Sequence, residues 1–223
     1  MNQTEAETYQ PDPAAESAWV VEAFFAALGE RLADQPESAA LLAAARSASD
    51  ELTAGRGASP ERAMDRHHLL TGAAVLGAYR ALRGKMDQQP LLALLHDCFN
   101  QPLRQPVLDG TVAMLDSAPD PFGAMVATSK AREIHFFGDS FAFERPRDDE
   151  RGYYADVTRC FWNSFLRAEG APELMPIFCD FDANWFDAID PRRHGFRFER
   201  ATTLGYGGAL CSFHFFRLAE AGS

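Results

Sequence analysis

Three cysteines, Cys160, Cys179 and Cys211, and the acid-rich segment CDFDANWFDAID (179–190) hold the most reactive side chains of this 223-residue chain. Each cysteine falls where the sequence pattern changes. Cys160 closes a strand-like run, Cys179 lies in or just past a short helix, and Cys211 opens the last strand-like run. A thiol at such a transition can face a pocket and act as a nucleophile once ionised. The competing role is a small buried hydrophobe, the common fate of unpaired cysteine. Zinc fits poorly, because gaps of eighteen and thirty-one residues match no ligand spacing. No metal or other cofactor is expected.

If the acid-rich segment is helical, Cys179 and Asp182 lie three apart and Asp182 and Phe186 four apart, so they share a face. Asp180 and Asp187 are displaced from it. A carboxylate among Phe178, Phe181, Trp185 and Phe186 is partly desolvated, which raises its pKa toward the range useful for acid–base catalysis. Asp182 is therefore the candidate acid–base group, Asp180 a second carboxylate and Trp185 part of the wall. Solvated helix-end acids are the alternative. Asp190, before Pro191, reads as a turn.

Arg200 shares a strand face with Phe196, Phe198 and Thr202, where it would clamp a substrate carboxylate; a cross-strand ion pair with Glu144 competes for it. His135 and His214 lie on strands and can border a pocket. In the pair His67-His68, inside an apolar helix, one ring must face inward as a hydrogen-bonded core histidine. His96-Asp97-Cys98 imitates a triad, but adjacent helical residues point about 100° apart and cannot form a relay.

The elements that position these residues fall into two regions. Residues 1–14 are polar, hold two prolines and read as a flexible tail. Residues 15–132 are helical in pattern, beginning with Trp19, Val20, Ala23, Phe24, Ala27 and Leu28 on one face. A second helix fits 37–54. A third starts at Ser59-Pro60-Glu61 with a capping hydroxyl and a first-turn proline, and ends at Gly84. Helices at 91–99 and 106–116 are expected to be separated by Pro102 and Pro106, with a last one over 121–132.

Residues 133–223 change to period two, with expected strands at 134–137, 141–145, 153–160, 196–204 and 210–218. A helical insert, 161–190, is broken near Gly170-Ala171-Pro172 into two short helices. Gly205, Gly207 and Gly208 suit a tight hairpin between the last two strands, which sets Cys211, Phe213 and Phe215 on one face and Ser212, His214 and Phe216 on the other. The expected class is α+β: a helical N-terminal half packed with an antiparallel sheet of four to five strands, as one integrated domain.

Composition narrows the function. A net charge of −11 and the lack of a basic stripe with aromatics exclude nucleic acid and membrane surfaces as partners and leave a small-molecule substrate. Residues 1–60 hold ten acidic against three basic residues, −7 of the total, so the remainder is nearly balanced. The four cysteines form no CxxC pair and read as thiols, and the N-terminal residues lack the basic and apolar regions of a secretion signal, so the expected location is cytoplasmic. Homo-oligomer formation is compatible with all of this. Walker, GxGxxG, GxSxG and HExxH motifs are absent from the sequence.

The order Cys160, PELMPIFCDFD (172–182), RATTLGYGGALCSFHF (200–215) resembles the L-2-amino-thiazoline-4-carboxylic acid hydrolase family, most clearly over about 150–217. Matching positions are Cys160, Pro172-Glu173-Leu174, Cys179 with Asp182, and Thr203-Leu204, Gly205, Cys211 and Phe213. Family members often carry acids in the hairpin turn and just after the last cysteine, where this chain has Gly207-Gly208 and Ser212. The resemblance implies a hydrolase that opens a small carboxylated heterocycle at a C–N or C–S bond. For that chemistry the expected assignment is Asp182 as acid–base group, Cys179 or Cys160 as nucleophile or pocket wall with Cys211 beside them, and Arg200, Thr203, Trp185 and His214 toward the substrate. A non-catalytic small-molecule-binding or sensor domain of the same fold is the alternative.

Overall fold

The computed structural model describes residues 10–54 and 63–219. The start of the third helix, Ser59-Pro60-Glu61, therefore lies outside the described residues. α1 (Pro13–Leu32) begins inside the expected tail, because Asp12 caps it: its Oδ1 accepts from the backbone N–H of Ala15 at 3.0 Å. α2 (Ser38–Thr53) and α3 (Ala63–Leu82) follow, and the two helices pack closely. The close approach requires Gly77, where a Cβ would stand 2.5 Å from the backbone nitrogen of Ser49. Among the described residues, no helix is long and apolar enough to cross a membrane.

The expected break at Pro102 and Pro106 does not occur. α4 runs unbroken over Gln88–Ser117 with both prolines inside it. Each proline lacks one helical N–H, but Leu91, Leu95, Phe99 and Leu103 keep one continuous buried seam across the first of them. Burial of that seam outweighs the local penalty of about 3 kcal/mol. α5 (Pro121–Arg132) matches its expected range.

Residues 134–137, expected as a strand, instead continue α5 as a π-helical turn over Glu133–Phe137, which Gly138 ends at φ 58°. The period of two fails here because Phe136 and Phe137 are neighbours in sequence yet both pack on His68, with ring centroids 5.2 and 6.3 Å away. Buried Glu133 ties this turn to the sheet, accepting from Arg145 and from the hydroxyl of Tyr153.

Among the described residues, four antiparallel strands complete the α+β fold: β1 (Ala142–Asp149), β2 (Gly152–Arg159), β3 (Phe196–Glu199) and β4 (Cys211–Arg217), in the order β1-β2-β4-β3. Pro146 sits on the edge strand at an irregularity between Glu144 and Arg147, where it interrupts no regular ladder. Tyr153, Ala155 and Val157 of β2 and Cys211 and Phe215 of β4 are buried on one face against the helices. Tyr154 and His214 stack on the other.

Two further expectations change. β3 is only four residues long, so Arg200 to Thr203 lie past it, and the connection to β4 is a loop of residues 200–210 containing a 3₁₀ turn (Leu204–Tyr206) rather than a tight hairpin. The insert between β2 and β3 holds four short helices: α6 (Phe161–Ala168), α7 (Met175–Asp180), α8 (Ala183–Phe186) and α9 (Pro191–His194), with a 3₁₀ turn at Pro172–Leu174.

Candidate active site

The 200–210 loop folds back onto α7, and this contact brings the three cysteines together. Cys160, at the start of α6, Cys179, in α7, and Cys211, at the start of β4, are all buried in one core cluster. Gly205 permits it: a Cβ there would stand 2.6 Å from the sulfur of Cys179 and 3.1 Å from Met175, although its φ is not in the left-handed region.

The sulfurs differ in their surroundings. The thiol of Cys211 and the backbone N–H of Gly205 lie toward Cys179 Sγ; with the nearby Thr203 hydroxyl they outweigh burial and hold the Cys179 thiol below its ordinary range. The Thr203 hydroxyl is buried and has no hydrogen-bond partner among the described residues. Cys211 donates to Cys179, which drives its own pKa upward, and its sulfur accepts from the N–H of Leu204 at 3.2 Å. Burial pushes Cys160 up to about 12 and Cys98, in α4, up to about 11. Cys179 is thus the thiol disposed to ionise. Among the described residues, no group of three or more His, Cys, Asp or Glu has the arrangement of a metal site.

Asp182 follows α7 in the chain and leads into α8. Its Oδ2 accepts from Arg200 Nη1 at 2.6 Å, and its Oδ1 from the indole N–H of Trp185 at 3.1 Å. The same Nη1 donates to the carbonyl of Cys179 at 2.8 Å. Arg200 therefore links the carboxylate to the cysteine's backbone, not to its sulfur and not to Glu144. Burial pushes the Asp182 carboxyl up to about 6, against the pull of Arg200 and Trp185. Phe186 and Phe213 flank the guanidinium, 5.3 and 5.8 Å from its carbon.

Two shallow clefts open beside this unit, and Arg200 and Phe186 line both. One, of about 320 Å³, is bordered by Phe198, Ile189 and Arg197. The other, of about 360 Å³, lies against α4, bordered by His96, Asn100, Arg104 and Asp180. The cysteines line neither cleft and lie behind Arg200.

Of the sequence-predicted residues, Asp182, Cys179, Cys160, Cys211, Arg200, Thr203 and Trp185 are brought together. Asp180 lies at the rim, where it accepts from Tyr206 Oη at 2.7 Å and sits 3.3 Å from His96 Nε2. His214 is not part of this group: it binds Asp156 at 2.8 Å and stacks on Tyr154, on the opposite sheet face. Sequence reasoning missed Tyr206, Asn100 and Arg104, read Gly205 as a turn and family position without its contact to Cys179, and set His96 aside with the false triad. His96, Asn100 and Arg104 are spaced i, i+4, i+8 and share a face only if the helix continues through Pro102.

The profile of the L-2-amino-thiazoline-4-carboxylic acid hydrolase family matches residues 66–215. The chain belongs to this family. The match extends beyond the expected 150–217 and takes in most of α3 and all of α4 and α5, so the α4 wall lies inside the hydrolase family region. No curated protein and no solved structure matches the chain.

Proposed function

We propose that this member of the family hydrolyses a small carboxylated heterocycle of thiazoline or amidine type, opening it at a C–N or C–S bond. In the thiazoline case water oxygen bonds to the amidine carbon, the carbon–sulfur bond breaks, and of water's two protons one passes to the sulfur and one to the ring nitrogen, leaving an N-carbamoyl amino acid with a free thiol. The observation that carries this reading is the Asp182–Arg200–Cys179 unit. A carboxyl that titrates near 6 can remove a proton from water and return one to the leaving atom at neutral pH. Arg200 keeps Asp182 in place and faces both clefts, where it can receive a substrate carboxylate.

Cys179 is assigned as nucleophile or as the polar wall behind the reacting carbon, with Cys211 and Thr203 tuning it; Cys160 packs. Four unpaired thiols support a cytoplasmic location. One observation favours a binding domain without catalysis: Asp182 and Arg200 satisfy each other, and neither Cys179 nor Asp182 lines a cleft. Incubating the protein with thiazoline, carbamoyl and amidine carboxylates and reading mass spectra separates the two. Gain of one water by a thiazoline supports hydrolysis; tight binding with no such product supports the binding domain.

A further inference from the structure

The 360 Å³ cleft between α4 and the α7–α8 segment has its charges sorted by position. His96, Asn100 and Arg104 succeed one another along one face of α4, and the rise of a helix puts roughly 12 Å of axis between the first and the last. At the His96 end lies Asp180, 3.3 Å from the imidazole. At the other end lies Arg104, half exposed, held to Asp187 at 2.7 Å. Ion pairs this exposed are weak, so the guanidinium remains available to a better-placed carboxylate. Arg200 forms the opposite wall; both of its hydrogen bonds to described residues use Nη1, which leaves the rest of its fork.

Between the two ends the floor is amide. Asn184 is buried and donates to the carbonyl of Asn100 at 3.3 Å. Asn100 donates to the carbonyls of His96 and Ile177, and its Oδ1 is buried without a partner among the described residues. An unsatisfied buried acceptor is uncommon and costly, and a donor from a bound molecule would relieve it.

We infer that this cleft is the substrate-binding site and that it selects a small zwitterion. Arg104 and Arg200 receive a carboxylate, Asp180 receives a cationic nitrogen such as an amidinium, and the Asn100 amide lies below the ring. The inference rests on the hydrolase reading for its ligand class, but the site itself is tested by binding. It makes Arg104 and Asp180 specificity-determining residues contributed by α4 and α7. A volume of this size suits a compact ligand rather than a peptide.

The test uses three probes: 2-amino-thiazoline-4-carboxylate, its methyl ester, and the 2-methyl analogue that lacks the amino group. Affinity is read by titration calorimetry where no product forms and as KM where it does, with mass spectrometry for product on the same samples. Wild type is expected to prefer the zwitterion at least tenfold over either analogue. Arg104→Gln should erase the preference over the ester while keeping that over the 2-methyl analogue, and Asp180→Asn should do the reverse. Both positions are partly exposed, and circular dichroism checks that the variants fold. Preferences unchanged in both variants, or no binding of the zwitterion by wild type, overturn the inference. Product formation with unchanged preferences would sink the cleft and keep the hydrolase; selective binding without product would do the opposite.

Discussion

At the residue scale the central feature is how differently three neighbouring sulfurs are treated. One glycine lies at the centre of that difference. Gly205 lets the loop approach until its N–H meets Cys179, and a Cβ has no room there. Gly205→Ala is expected to lift the loop, remove that donor and lower the rate of Cys179 alkylation at neutral pH by about tenfold, because the thiol then ionises less readily. Alkylation followed by peptide mass spectrometry measures it; an unchanged rate would show that the N–H does not hold the thiolate. The thiols were legible in sequence as positions at element boundaries, and Asp182 as the acid spaced to accompany Cys179. The donors were not legible, because a backbone N–H has no residue type. Arg200 was expected to reach a ligand or Glu144, and its bond to Asp182 depended on β3 ending at Glu199.

At the element scale α4 decides the shape of the site. Local rules read Pro102 and Pro106 as a break, whereas the buried seam holds the helix together through them. Pro106 is exposed and Pro102 only half-buried, so Pro102→Ala restores the missing N–H donor for the carbonyl of Cys98 at little cost to the core. It is expected to stabilise the protein by about 1 to 3 kcal/mol, read from the urea midpoint at constant slope. A loss of stability would mean that the prolines are built into the packing. The same misreading hid the face of His96, Asn100 and Arg104. By contrast β2 and β4 were legible almost to the residue, since strict alternation buries Tyr153, Ala155 and Val157 and stacks Tyr154 on His214. The 134–137 run misled because an apolar tetrapeptide is too short to distinguish a strand from a helix end.

At the scale of the whole molecule two titrating groups, half-buried Asp182 and buried His68, act on stability with opposite sign. Asp182 is raised from 3.8 to about 6, chiefly by burial, so the native state holds its proton more tightly than the unfolded chain. That contribution is full below pH 3.8 and is lost as pH rises through about 6. His68 lies under the rings of Phe136, Phe137, Phe141, Phe161 and Trp162. Burial lowers it from 6.5 to about 4, so its contribution is present above pH 6.5 and is lost as pH falls through about 4. The two trends offset each other in the wild type between about pH 4 and 6.5. Relative to wild type, Asp182→Asn should gain stability as pH rises across this window, and His68→Gln should lose it. Denaturant midpoints at several pH values measure both; parallel profiles for all three proteins would contradict the burial assigned to these groups. The α+β division was legible because the change of period near residue 133 reflects the whole layered arrangement, while the packing of the insert against α4 and, through Trp185, against Phe198, Phe213 and Phe215 of the sheet was not.

The most direct test of the account is the rate of thiazoline ring opening, read by mass spectrometry as a function of pH, in wild type and Asp182→Asn. If Asp182 removes the proton from water, the wild-type rate should rise with pH through an apparent pKa near 6, as the carboxyl ionises. The variant should lose at least a hundredfold in rate, lose that acid limb, and keep a native circular dichroism spectrum. A variant with wild-type rate and the same limb would contradict the assignment of Asp182.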